Sequence, residues 1–137
     1  MVDDVLLGKR VSLERCVAQA RRYYAGLGDT PLEEDYLRQD AIALNIQRAC
    51  ELALDMANRV IKTKKLGMPQ ESRESFTLLE QGGVIDRELA TSLRGMVGFR
   101  NVLVHRYQDL DISVLREVLE RRLDDLVAFA HRCTVDG

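Results

Sequence analysis

The chain has 137 residues, 46% of them hydrophobic and 31% charged, with a formal net charge of −2 from 20 basic and 22 acidic side chains. That length supports a real core without disulfides or a structural metal, and that composition excludes a disordered chain. The acidic balance argues against a protein that coats nucleic acid everywhere on its surface, so any contact with nucleic acid must be local. We expect one domain over residues 1–137. Only two prolines interrupt the chain, so long helices are permitted.

The first helix is predicted over residues 4–26, with Leu13, Cys16, Val17, Ala20, Tyr23 and Tyr24 at helical spacing. "GLGDTP" stops it and opens the next. The second and longest helix is predicted over residues 32–65. It carries Ile42, Ile46, Ala49, Ala53, Met56 and Val60 on a broad apolar stripe and ends in the cations of "KTKK", Lys62 to Lys65. A short third helix, capped by Ser72 or Ser75, runs through Phe76 and Leu79 to Gly82 and Gly83. A fourth runs over 86–107. "QDLD" breaks it, with Asp109 or Asp111 as cap for a fifth over 112–133. No stretch alternates as a strand would. Short connections favour antiparallel neighbours, so the fold class is all-α: an up-and-down bundle of four long helices plus one short helix.

Cys16, Cys50 and Cys133 lack metal-ligand spacing and read as free thiols at apolar helical positions, which suggests a reducing compartment. "MVDDVLLGKR" has no signal-peptide character, and no run approaches the ~20 apolar residues of a membrane span, so a cytoplasmic location without membrane contact is expected. "RRYY", Arg21 to Tyr24, reads as a helix edge. Basic groups concentrate locally, in "KTKK" and in the series Arg94, Arg100, Arg106.

The fourth helix holds the anomaly, "GMVGFRNVLVHRYQD". On a wheel of about 100° per residue, Leu89, Leu93, Met96, Leu103 and Val104 fall within about 60° of Arg100. An arginine is thereby centred on an apolar face, and Tyr107 returns to the same line. Asn101 and His105, four apart, stack at the edge of that face, while Gly95 and Gly98 fall on the far side. A buried guanidinium without a partner costs several kcal/mol, an order-of-magnitude figure. It must pair with an acid such as Glu51 or Asp55, reach out to solvent, or face a cleft or subunit interface where it meets a phosphate. His105 is one of two histidines and serves as general acid or base near neutral pH. Arg100 can clamp a phosphate and stabilise added charge, and Asn101 can hold the histidine or the scissile group. Together they suffice for metal-independent RNA cleavage, with the 2′-hydroxyl as nucleophile and a cyclic phosphate and a 5′-hydroxyl as products. No metal or cofactor is expected.

"RNVLVHRY", which is arginine, four residues, histidine, one residue, tyrosine, resembles the signature of HEPN domains, in particular the HepT-like toxins of prokaryotic toxin–antitoxin pairs. Chain length, the long second helix and the position of the signature agree over nearly the whole chain. The resemblance implies a HEPN-like bundle that forms a homodimer, with two signatures meeting in one composite ribonuclease site of Arg100, Asn101 and His105. It also implies a cognate minimal nucleotidyltransferase antitoxin that transfers AMP from ATP onto Tyr107 and silences the toxin. The alternatives are a non-catalytic HEPN module that binds a nucleotide or only a nucleotidyltransferase partner, and a purely structural helical protein in which Arg100 pairs with an acid.

Overall fold

The structure is a computed structural model that describes residues 3–135. Helix α1 spans Asp4–Ala25 and starts where the Asp3 carboxylate accepts from the Val5 and Leu6 amides. A 3-10 turn, Leu32–Glu34, precedes α2, Tyr36–Lys64. The second helix therefore begins later than the sequence suggests. Asp35, and not the Asp29–Pro31 stretch, caps it through the Arg38 amide. At its far end Lys65 takes the left-handed conformation, φ 56°, and returns its amide to α2. That position precedes the expected glycine stop by two residues.

The short helix α3 spans Ser72–Gln81, and neither expected serine caps it. Ser72 is already helical, and the N-cap Glu71 makes no side-chain bond. Ser75 is buried and donates to Asn58 Oδ1 of α2 at 2.7 Å, so its hydroxyl joins two helices and does not start one. Helix α4 spans Arg87–His105, capped by Asp86 on the Leu89 amide. The remaining chain runs head to tail as α5 (Ile112–Glu117), a π turn (Val118–Arg122) and α6 (Leu123–Val135), starting from an Asp111 cap. There is no strand among the described residues.

Four long rods and one short helix thus enclose one contiguous apolar core. α1 lies along α2, α3 along α4, and α6 packs on both α1 and α2. Aliphatic side chains dominate the core, with Phe76 of α3 meeting Phe129 of α6 edge to face at 5.4 Å between centroids. Cys50 and Cys133 are buried free thiols, whereas Cys16 is only half-buried. Burial pushes both buried thiols up to about 12, so neither forms a thiolate at neutral pH. No helix among the described residues is long and apolar enough to cross a membrane.

Candidate functional site

The C-terminal half of α4 carries the site. Its buried residues are Ala90, Leu93, Met96, Val97, Phe99 and Leu103, an arc with Arg100 at its middle. Arg100 thus lies where helical periodicity puts it, and the structure shows how the charge is met. Arg100 Nη2 donates to Glu51 Oε2 of α2 at 2.8 Å, and Nη1 donates to Asn101 Oδ1 at 3.2 Å. Of the two candidate acids only Glu51 pairs with it, because Asp55, on the neighbouring turn, is taken by Lys9. The pair is not sealed: the arginine and glutamate side chains are 23% and 38% exposed. Arg100 Nε is buried with no partner. Of the five N–H groups of a guanidinium, two are engaged, and Nε–H lies out of reach of solvent. One N–H remains on each terminal nitrogen. Glu51 and Asn101 hold the guanidinium in place and leave those two donors for an anion.

Asn101 sits at the edge of the buried arc and is half-exposed. His105 does not sit at that edge. It lies about 60° beyond the last buried residue and is exposed, because 3.6 residues per turn carry it past Asn101 toward the outer face. Its imidazole makes no hydrogen bond or ion pair among the described residues. His105 is the last residue of α4.

Tyr107 departs most from expectation. The helix stops at His105, and Arg106 leaves helical geometry at φ −142°, ψ 44°. Tyr107 therefore begins a 3-10 turn, Tyr107–Asp109, and does not return to the Arg100 line. Its half-buried ring packs against the core, and its hydroxyl donates to Asp40 Oδ1 of α2 at 2.5 Å. Burial first, then the bond to Asp40 and the charge of that carboxylate, hold the phenol pKa well above its usual range. Sequence reasoning missed Asp40 altogether. It is one of many acids on α2, and only folding brings it to Tyr107.

The expected basic series does not assemble. Arg94 turns to Thr77 and Glu80 of α3, and Arg106 is exposed at the helix end. The "KTKK" lysines are exposed at the end of α2. In "RRYY", Arg21 pairs with Asp124 and Tyr24 donates to Glu120, the helix-edge role. A different basic feature lies beside Glu51. A hollow of about 370 Å³ is lined in part by Arg15, Arg48, Glu51 and Asp55. Both acids there have cationic partners, whereas Arg15 and Arg48 are exposed and have no acidic partner among the described residues. No group of three or more His, Cys, Asp or Glu side chains is arranged to hold a metal among the described residues.

A helical bundle with a braced arginine and an unengaged histidine at one open helix end has the side chains that acid–base cleavage of a phosphodiester requires. Residues 13–133 match the family described as "Ribonuclease HepT-like". The chain belongs to this HEPN family of ribonucleases. It is 37% identical to the mRNA nuclease HepT of Shewanella oneidensis over 129 residues, which are 93% of this chain and 95% of that protein. The tri-AMPylated HEPN toxin of the same organism, solved in complex with its MNT antitoxin, superposes with a TM-score of 0.88 at 35% identity, covering 95% of this chain and 96% of that one. A toxin–antitoxin structure with AMP-PNP gives 0.89 at 34% identity, covering 96% and 99%.

Proposed function

We infer that this single-domain ribonuclease is the toxin of a toxin–antitoxin pair, that it cuts RNA at a composite site formed by two copies of the chain, and that a minimal nucleotidyltransferase silences it by transferring AMP to Tyr107. The observation that carries the catalytic half is the pairing of unlike environments within the last two turns of α4. Arg100 is braced by Glu51 with donors to spare, and His105 stands exposed with nothing bound. Arg100 would hold the scissile phosphate and stabilise its extra charge. His105 would move the proton of the 2′-hydroxyl or of the leaving 5′-oxygen. Arg100 and His105, five residues apart, project about 140° apart around α4, so they face different sides of one chain. The arginine of one copy and the histidine of a second would meet at one phosphodiester, which is the physical reason to expect a dimer. Asn101, bonded to Arg100, would align the guanidinium. The unpaired Arg15 and Arg48 beside Glu51 would meet phosphates of the flanking RNA.

The regulatory half rests on likeness to an AMPylated toxin bound to its antitoxin and on where Tyr107 lies, two residues past His105. An AMP group there adds bulk and negative charge beside the histidine and repels an incoming phosphodiester.

The test is cleavage of a labelled RNA in EDTA by the wild type, Arg100→Ala, His105→Ala and an equimolar mixture of the two variants after subunit exchange. The expected result is that each variant alone is inactive, the mixture recovers activity, and the products carry cyclic phosphate ends. Activity that survives in His105→Ala overturns the catalytic assignment. Two inactive variants whose mixture stays inactive overturn the composite site. Wild-type activity that vanishes in EDTA and returns with a divalent cation overturns the metal-independent chemistry.

A further inference from the structure

The contact between Tyr107 and Asp40 has no use in RNA cleavage. It joins a residue just past α4 to the N-terminal part of α2, across 67 positions of sequence. Asp40 is exposed and makes no salt bridge among the described residues, so no cation competes with the phenol for its carboxylate. The phenol proton is the group it holds.

A phenol that is to accept a nucleotidyl group must lose that proton. At neutral pH a tyrosine is protonated, and the neutral hydroxyl is a weak nucleophile. Ionising it in advance is harder here than in water, because burial and the neighbouring carboxylate both oppose the phenolate. The remaining route is to remove the proton as the new bond forms, when the acidity of the attacking oxygen rises steeply. That route needs a base already within hydrogen-bond reach, and at 2.5 Å Asp40 Oδ1 is so placed.

We propose that Asp40 of the toxin itself is the general base for AMP transfer to Tyr107. Tyr107 Oη attacks the α-phosphorus of ATP delivered by the nucleotidyltransferase, and the Oη–P bond forms. The bond from that phosphorus to the oxygen bridging to the β-phosphate breaks, and pyrophosphate leaves with the electron pair. The phenol proton passes to Asp40 Oδ1, and no electron donor or acceptor is needed. The product has no proton left to share, and its anionic phosphodiester faces an anionic carboxylate once Asp40 releases the proton to solvent. The modified tyrosine therefore cannot rebuild the contact with α2. This proposal rests on Tyr107 being the acceptor.

The experiment measures single-turnover AMP addition by intact mass, with the full chain, saturating cognate nucleotidyltransferase and ATP. It compares the wild type with Asp40→Asn, Asp40→Glu and Tyr107→Phe. An asparagine oxygen still accepts the phenol hydrogen bond but is not a base, so a residue that merely held Tyr107 in place would leave Asp40→Asn near the wild-type rate. A base predicts a slowing of about a hundredfold or more, with part of the rate restored in Asp40→Glu and with thermal melting unchanged. Less than about tenfold slowing in Asp40→Asn overturns the proposal. Saturating partner removes any effect of weaker docking from that reading. If Tyr107→Phe accepts AMP at the wild-type rate, the acceptor assignment itself fails. If Tyr107→Phe is inert and Asp40→Asn is normal, only the role of Asp40 fails.

Discussion

At the residue scale, charge and exposure separate groups that work from groups that hold the fold. His105 is exposed and makes no hydrogen bond or ion pair among the described residues, so His105→Ala should change stability by no more than about 0.5 kcal/mol. As the acid or base it should lower RNA cleavage about 10²–10⁴-fold. Arg100→Ala should lower cleavage about 10²–10³-fold, the cost of one lost oxyanion donor. Because its pair with Glu51 is partly solvated, the same change should cost only about 1 kcal/mol, well short of the ~3–5 kcal/mol expected for breaking a sealed pair. Urea unfolding beside a cleavage assay separates these outcomes. A loss near 5 kcal/mol with cleavage intact would return Arg100 to a structural role. Glu51→Gln should impair cleavage less than Arg100→Ala, since it loosens the guanidinium without removing it.

At the scale of elements, α4 is a helix with two weak links that packing has not used alike. A Cβ at Gly95 would meet nothing within 4 Å, so Gly95→Ala should gain most of the helix-propensity difference, about 1 kcal/mol, in thermal melts. A Cβ at Gly98 would fall 2.4 Å from Arg73 Nη2, the mobile end of a long side chain. Arg73 must swing away, and Gly98→Ala should gain less than Gly95→Ala. Helical periodicity made the five rods readable from the chain, with Asp111 among the expected caps. The same rules failed at Ser75 and Tyr107. A serine can cap a helix or tie two together, and the choice depends on Asn58, seventeen positions away. A tyrosine at helical spacing continues a helix unless something outside it competes, and here Asp40 competes.

At the scale of the whole molecule, two predictions follow from burial and charge. Cys50 and Cys133 hold their protons up to about 12, against an ordinary value of 9.0. A raised pKa means that the folded state binds the proton more tightly, so stability is intact below about 9 and falls as pH rises from there toward about 12. The slope should be about 1.4 kcal/mol per pH unit for each thiol and should flatten in Cys50→Ala. A flat alkaline limb in the wild type would contradict that burial. The net charge of −2 makes RNA binding depend on local cations. Arg15→Gln and Arg48→Gln should each weaken RNA binding and reduce the slope of log affinity against log salt by about 0.7, the value for one single-strand phosphate contact. Unchanged slopes would move the RNA path away from that hollow.

The sequence by itself determined the helical class, the aliphatic core, and an arginine centred on an apolar face with an asparagine and a histidine downstream. Each of these is a consequence of local periodicity, and neighbours three or four positions apart in a helix are neighbours in space whatever the rest of the chain does. Only the tertiary structure decided that Glu51 and not Asp55 meets Arg100 and that Tyr107 leaves its helix for Asp40. Those pairings join residues 49 and 67 positions apart, and their geometry is set by how the rods pack, which no local pattern encodes.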